Sequence, residues 1–300
     1  MSASDRKAPA VHVPAGRTPA GMAQRRRRTD LLVFLTLFVI CLAWSLPLIM
    51  MVSTSLKAQA QVNVPTAIIP NPVVWENYPR AIYDFLPFVR FFRNSVVIAV
   101  FAVIGDVLSS AFIAYGFARL RFPGRSALFL VMLSTMMFPF AVRMIPLFII
   151  FRELGWINTF LPLIVPSYFG TNAFFIFLLY QFFRAIPNQV TEVARVDGAN
   201  ELQIWWHIVL PLARPALAVV AILAFQQSWN DFLQPLVFLT DQNNFTVTLG
   251  LYSLIGGQDA TQRWQYLMAA TVVTITPVVL LFFFAQRYFI RGITISGLKG

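Results

Sequence analysis

The sequence predicts an all-α membrane protein with six transmembrane helices. Of its 300 residues, 58% are hydrophobic and only 12% are charged, whereas soluble globular proteins carry charge on about a quarter of their residues. A helix needs roughly 20 apolar residues to cross the hydrocarbon core of a bilayer. Six segments meet that requirement, at about residues 31–52, 95–118, 127–151, 160–183, 213–239 and 265–286.

The positions of the basic residues predict how these spans are oriented. Lys and Arg resist translocation and therefore concentrate in cytoplasmic loops. If six spans alternate, one side receives most of the basic residues, in segments 1–28, 119–125, 184–214 and 287–299. Both termini are therefore predicted to be cytoplasmic. The net charge of +11 follows from this topology, so we expect no nucleic-acid partner.

The first span follows a basic tail. Residues 1–28 are rich in Ala, Pro, Gly and Arg without apolar periodicity, which predicts a disordered cytoplasmic tail. A cleaved signal peptide is the alternative, because Ala58-Gln59-Ala60 resembles a cleavage site. The apolar run is longer than the roughly 7–15 residues of a secretory hydrophobic region, which favours an uncleaved span. Cys41 is the single cysteine and lies inside this run, so we expect it to pack rather than to form a disulfide or metal site.

Three of the runs contain one charge each away from their ends, and two of those charges could meet. Asp106 lies in the second run, Arg143 in the third and Asp231 in the fifth. The second and third runs are antiparallel and joined by a short turn at Pro123-Gly124. We expect an intramembrane ion pair between Asp106 and Arg143, because an unpaired charge at that depth is costly. The alternative is that Arg143 lies on a translocation path and donates to a hydroxyl or an anionic group.

The polar segment 184–211, between the fourth and fifth runs, predicts two short helices. Asn188 is a candidate cap of the first helix, and Gly198 tolerates the left-handed turn that would end it. Asn200 and Gln203 have the spacing of a capping box at the start of the second.

These two helices also carry apolar residues, although they lie outside the predicted spans. The apolar positions are Val193, Val196, Ile204, Trp205 and Ile208. Such a surface requires a protein partner or the bilayer interface. For any single residue of the segment, a solvated connector is the ordinary interpretation.

Six positions of the segment share the spacing of a known motif: Glu192, Ala194, Gly198, Ile208, Leu210 and Pro211. The segment resembles the EAA loop of ABC-importer permeases, in which Glu-Ala-Ala is followed at fixed intervals by Gly, Ile and Leu-Pro. Val193 stands where the pattern has its first Ala. The resemblance implies that this segment couples the chain to an ATPase subunit through Glu192, Ala194, Asp197, Gly198, Ile208, Leu210 and Pro211.

The resemblance runs from about residue 53 to residue 300. It includes STSLK at 53–57, WENY at 75–78, AYGFARLRFPGR at 114–125, SWNDFLQPLVFLT at 228–240 and QRYFIRGITISGLKG at 286–300. The chain is similar to the permeases of carbohydrate-uptake ABC transporters, in particular to the maltose-permease-like half. This implies that residues 29–300 form a multi-pass transmembrane domain in a bacterial or archaeal cytoplasmic membrane. The implied partners are a second homologous permease, an ATPase dimer, an extracytoplasmic solute-binding protein, membrane lipid and a sugar substrate.

No enzymatic or cofactor site is expected in the chain. The sequence contains no GxxxxGK[ST] phosphate loop, and the resemblance implies that partner subunits bind the ATP. His12 and His207 lie in the tail and in the 184–211 segment, and this separation argues against a metal site built from them.

The fifth run holds a polar stripe made of Gln227, Asn230, Asp231 and Gln234. Their spacing places all four on one face of a continuous helix. Two interpretations stay open: the stripe lines a substrate pathway, or it joins helices through hydrogen bonds.

The leading hypothesis is therefore the permease subunit of an ATP-driven importer of a sugar or oligosaccharide. A permease for another solute, such as a phosphate ester or a polyamine, is an alternative, because the loop motif indicates the energy source and not the cargo. A membrane scaffold or channel is an alternative of a different class.

Overall fold

The computed structural model of the chain describes residues 19–62, 64, 68–85, 87–255 and 263–296. These residues contain no β-strand, which confirms the predicted all-α class. In chain order, the helices used below are α1 (Pro19–Ser55), α2 (Phe88–Arg119), α3 (Arg125–Ser134), α4 (Phe140–Glu153), α5 (Ala173–Ala185), α6 (Asn188–Val196), α7 (Glu201–Ile204), α8 (Arg214–Trp229), α9 (Leu233–Phe238), α10 (Val247–Ile255) and α11 (Trp264–Ser296). Shorter helical segments lie at Gln59–Val62, Asn77–Pro79, Arg80–Phe85, Thr135–Met137, Leu161–Ile164, Val165–Phe169, Trp205–Val209, Leu210–Leu212 and Gln242–Asn244.

The chain divides into two compact units, residues 1–50 and residues 51–300. The first unit contains most of α1, whose segment Asp30–Ser55 has a mean hydropathy of 2.6 and is long enough to cross a membrane. Residues 1–18 of the predicted disordered tail lie outside the described residues. Residues 19–28 are helical, so the prediction is wrong for them. They include Ala, Met, Gln and Arg, which all favour helix.

Four helical segments of the described chain are each long and apolar enough to span a membrane: Asp30–Ser55, Phe88–Arg119, Leu161–Ala185 and Trp264–Gln286. Two further spans exist only if bent helix pairs are counted as single crossings. Those pairs are Arg125–Met137 with Phe140–Glu153, bent by 99°, and Glu201–Leu212 with Arg214–Trp229, bent by 81°. The described chain thus has four candidate spans, or six if each bent pair is counted as one crossing.

The predicted third span is not a straight helix. It breaks at Phe138 and Pro139, which both have extended backbone angles. Proline disfavours the helical conformation in the residue before it. Pro139 therefore ends the first half of the span, and α4 starts in a new direction.

The predicted fifth span also ends early, because α8 stops at Trp229 and α9 starts at Leu233. Pro235 explains the break. A helix running through both segments would require the ring of Pro235 to clash with the carbonyl of Asp231, four residues earlier.

Helix α2 holds the second unit together by packing against α5, α8, α10 and the Val165–Phe169 segment. One apolar cluster joins α2 to α5, α7 and α8 and includes the fully buried Phe183, Ile204 and Val220. Another joins α2 to α8, α10 and α11 around Phe91 and Trp229.

Candidate functional site: the 184–211 loop and the cavity

The 184–211 loop folds as two helices joined by a tight turn. Helix α6 ends at Val196, and Gly198 follows with φ of +84°. This left-handed conformation is open to glycine at little cost, which confirms the predicted break. Asp197 lies at the end of α6 and is exposed, as are Glu192 and Gly198.

The predicted capping box is confirmed at the start of α7. The amide N–H of Gln203 donates to Asn200 Oδ1 at 2.8 Å, and the amide N–H of Asn200 donates to Gln203 Oε1 at 2.9 Å. Two backbone donors that lack helical partners are thereby satisfied.

The prediction that Asn188 caps α6 is wrong. Asn188 is already the first residue of the helix, and its side chain makes no capping bond. Instead Asn188 Oδ1 accepts a hydrogen bond of 2.5 Å from Arg119 Nη1 at the end of α2. Pro187 occupies the capping position with an extended backbone, which suits a proline at the start of a helix.

The apolar residues of the loop divide between two surfaces. Ile204 and Trp205 are buried against the rest of the unit, whereas Val193 and Val196 are 61% and 87% exposed. Leu202 and Trp206 are also exposed, although the sequence pattern did not single them out. The outward side of the loop therefore carries apolar groups that no described part of the chain covers.

The other motif residues of the loop lie toward its inner side. Ala194 is buried against the core, and Ile208, Leu210 and Pro211 are partly buried. The motif residues thus fall into two groups with different surroundings. Glu192, Asp197 and Gly198 are exposed, whereas the others are buried or partly buried.

Four polar residues that tie the loop to α2 were not identified as a site from the sequence. Tyr115 Oη donates to Glu201 Oε2 at 2.5 Å, and Glu201 Oε1 accepts from Arg195 Nε at 2.7 Å. The bond to Glu201 raises the pKa of the Arg195 guanidinium, which stays charged. Arg119 is the fourth member. Tyr115 and Arg119 belong to the AYGFARLRFPGR segment, of which the sequence analysis interpreted only the turn. Their i, i+4 spacing indicates that both side chains lie on one face of the helix.

A cavity of about 660 Å³ lies among α2, α4, α5, α8 and α9. The long polar side chains in its lining are Asp106, Arg143, Asn172, Gln227, Asp231 and Gln234. Apolar walls with a few converging polar groups are the usual composition of a small-molecule site.

The predicted ion pair between Asp106 and Arg143 is not formed. Among the described residues, the ion pairs are Arg152 with Glu153 and Arg195 with Glu201. The prediction assumed two straight antiparallel helices, but the 99° bend before α4 redirects the helix that carries Arg143. Both side chains line the cavity instead.

The predicted polar stripe is divided by the break between α8 and α9. Gln227, Asp231 and Gln234 line the cavity, whereas Asn230 does not. Gln227 Oε1 accepts from Asn172 Nδ2 at 2.9 Å, and Asn230 Nδ2 donates to the carbonyl of Gln226. The four residues therefore do not share one face of a continuous helix, because the chain turns at Asn230.

No group of three or more His, Cys, Asp or Glu side chains suited to a metal ion occurs in the part of the chain that the structure describes. His207 Nδ1 lies 3.2 Å from the carbonyl of Gln203. His12 lies outside the described residues.

Comparison with known proteins identifies a family. Residues 106–295 match the family described as the binding-protein-dependent transport system inner membrane component. The arabinooligosaccharides transport system permease protein AraQ of Halalkalibacterium halodurans is 40% identical over 209 residues, which cover 70% of this chain and 74% of AraQ. The sn-glycerol-3-phosphate transport system permease protein UgpE of Yersinia enterocolitica is 31% identical over 281 residues, which cover 92% of this chain and 99% of UgpE.

A solved structure has the same fold. It belongs to a bacterial ABC transporter involved in the import of the acidic polysaccharide alginate. One of its chains is 27% identical to this one and superposes with a TM-score of 0.79, over 88% of this chain and 97% of that chain.

Proposed function

We propose a specific transport role for this chain, which belongs to the family of binding-protein-dependent transport system inner membrane components. It is the permease subunit of an ABC importer that carries a sugar or oligosaccharide across the cytoplasmic membrane. The observation that carries the ATP-driven mechanism is the 184–211 loop, two helices that expose Val193, Val196 and other apolar groups outward. The similarity to the arabinooligosaccharide permease AraQ supports the sugar cargo.

That outward surface supports the docking of an ATPase subunit. Exposed apolar patches outside a membrane span mark protein interaction sites, and exposed Glu192 and Asp197 add polar contacts beside them. Hydrolysis by a separate ATPase dimer would displace the loop and switch the permease between two states. The chain itself then needs no cofactor and catalyses no reaction.

The remaining partners follow from the family and from the topology. A second homologous permease completes the pathway, and an extracytoplasmic binding protein, such as the periplasmic protein seen with an alginate transporter, delivers the solute. The distribution of basic residues supports a cytoplasmic position for the 184–211 loop and for both termini.

The cavity supports a substrate pathway in this subunit. Gln227, Asp231 and Gln234 offer amide and carboxylate groups, which suit the hydroxyl groups of a sugar. Asn230 lies at the same helix break but does not line the cavity. We therefore propose that Asn230 stabilises the turn of the chain at that break and does not contact the solute.

A second candidate is an anionic solute that is not a sugar, such as a phosphate ester. Arg143 lines the cavity without an ion-pair partner among the described residues, and arginine is well suited to bind phosphate or carboxylate groups. The similarity to UgpE over 92% of the chain supports this alternative.

Reconstitution tests the proposed function. The chain is assembled in liposomes with the permease, ATPase and binding protein encoded beside it, and ATP-dependent solute uptake is measured. Thermal shifts of the binding protein with neutral oligosaccharides, acidic oligosaccharides and glycerol phosphates first select the solute. Uptake of a neutral or an acidic oligosaccharide supports the proposal, whereas uptake of phosphate esters alone establishes the second candidate.

Glu192→Lys tests the loop within the same system. We expect stimulation of ATP hydrolysis by the loaded binding protein to fall about tenfold, because the reversed charge meets the ATPase surface. Glu153→Lys reverses another exposed carboxylate, outside the loop, and should leave stimulation unchanged. Normal stimulation in both variants would exclude Glu192 from the ATPase contact.

A further inference from the structure

Two side chains near the end of α2 hold the 184–211 loop at separate points. Tyr115 and Arg119 are four residues apart and therefore share a face of the helix. Tyr115 is 3% exposed, and α2 ends with Arg119.

Arg119 fixes the start of the loop. Its Nη2 donates to the carbonyl oxygens of Phe183 and Ile186 at 2.6 Å each, and its Nη1 donates to Asn188 Oδ1. The last carbonyls of a helix lack partners within the helix and carry its negative dipole end, so a guanidinium stabilises them. Arg119 thereby joins the ends of α2 and α5 to the first residue of α6.

Tyr115 fixes the second helix of the loop. Its hydroxyl donates to Glu201, the first residue of α7, and Glu201 also accepts from Arg195 on α6. The carboxylate thus connects α2, α6 and α7 at one point. Hydrogen bonds to an ionised acceptor are stronger than neutral ones.

Apolar packing supports the same attachment. The Trp205 ring meets Phe112 of α2 edge to face, with ring centroids 5.4 Å apart. Ile204 and Val209 on either side of Trp205 are fully buried. The helical segment Trp205–Val209, which directly follows α7, therefore packs on α2 through Trp205.

Helix α2 also reaches the cavity. Ile98, Ala102 and Asp106 of α2 line it. Asp106 precedes Tyr115 by nine positions, which is about 14 Å along a helix. A single unbroken helix therefore connects the attachment point of the loop with the cavity wall.

We propose that Tyr115 and Arg119 are positioning residues that make the 184–211 loop and α2 move as one body. Displacement of the loop then shifts the α2 wall of the cavity. This inference rests on the proposed function, because it requires an ATPase that moves the loop. It assigns a mechanical role to the AYGFARLRFPGR segment.

Tyr115→Phe is the sharpest test, because it removes one hydroxyl and keeps the buried ring. In the reconstituted importer, we expect the amount of solute transported per ATP hydrolysed to fall about tenfold. Docking of the ATPase subunit, measured by co-purification, should be unchanged, because the outward surface of the loop is unchanged. Tyr180→Phe is the matched control: Tyr180 lies on α5, and its hydroxyl accepts only a 3.3 Å bond from Arg184.

Glu201→Gln reaches the same contact from the loop side and should give a similar loss. The double variant should lose less than the sum of the two single losses, because both variants weaken the Tyr115–Glu201 bond that they share. Amide hydrogen exchange in α7 should also accelerate in Tyr115→Phe and not in Tyr180→Phe, since the hydroxyl anchors that helix.

The possible failures are distinguishable. A wild-type complex without ATP-dependent uptake would overturn the proposed function and, with it, this inference. A wild-type complex that transports normally, together with Tyr115→Phe and Glu201→Gln variants of equal efficiency, would overturn the inference alone. Additive losses in the double variant would also contradict it, because the two residues would then act independently.

Discussion

Gly250 shows how closely the helices of the second unit approach one another. It lies on α10 against Phe91 of α2, and a Cβ atom at this position would come within 2.2 Å of the Phe91 ring. Phe91 is completely buried, so its ring has no space into which it can move. The close packing of α10 on α2 therefore requires a residue without a side chain at position 250.

We predict that Gly250→Ala destabilises the protein. Overpacking of this kind costs about 1–3 kcal/mol, and the midpoint of thermal unfolding in detergent should fall by on the order of 5 °C. Gly116→Ala is the matched control, because a Cβ at this α2 position meets nothing within 4 Å. A Gly250→Ala midpoint equal to that of Gly116→Ala would mean that α10 does not pack on Phe91 in this way.

At the scale of the elements, the turn between α6 and α7 depends on one backbone conformation. Gly198 has φ of +84° and open space around it, so a substitution acts through the backbone and not through a clash. A β-branched residue is strongly disfavoured there, whereas Asn adopts the left-handed conformation more readily.

We therefore predict a graded effect at residue 198 on the ATPase stimulation of the assembled importer. Gly198→Val should reduce stimulation about tenfold, and Gly198→Asn should retain it within about twofold. Gly155→Val is the control, since Gly155 also has positive φ and an open surrounding but lies outside the loop. Equal loss from Val and Asn would indicate that the ATPase contacts residue 198 itself.

Among the secondary-structure elements, the features that depend on neighbouring residues could be predicted from the sequence. The capping box at Asn200 and the turn at Gly198 depend on a few neighbouring residues, and both predictions are confirmed. The breaks caused by Pro139 and Pro235 carried a local signal as well. The six spans were predicted from the length of each apolar run. Hydropathy gives that length but does not show whether the helix within the run bends or breaks.

Contacts between distant segments were beyond the sequence patterns. The pairing of Asp106 with Arg143 assumed straight helices and failed at the bend before α4. The bonds from Tyr115 and Arg119 to the loop join residues 67 to 86 positions apart. No periodicity within one segment indicates which distant carboxylate or carbonyl a side chain will meet.

At the scale of the whole second unit, α2 lines the cavity with one part of its length and contacts the loop near its C-terminal end. Asp106 contributes to the cavity and Tyr115 to the loop, and the helix between them is continuous. The long polar groups of the cavity come from both sides of the α8 and α9 break as well as from α2, α4 and the start of α5. A change in the relative position of these helices would therefore alter access to the cavity.

Cysteine labelling tests whether this cavity is a wet pathway. Cysteines replace Gln227, Asp231 and Gln234 singly in a Cys41→Ser background of the reconstituted importer, and their rates of reaction with a small polar thiol reagent are compared. Leu233 and Leu236, which are exposed but do not line the cavity, provide the controls. Thiolate is the reactive form and is suppressed in apolar surroundings. Cavity cysteines should therefore react on the order of tenfold faster than the two controls, with rates that change when ATP binds. Five equally slow sites in every nucleotide state would indicate that Gln227, Asp231 and Gln234 join helices and bind no solute.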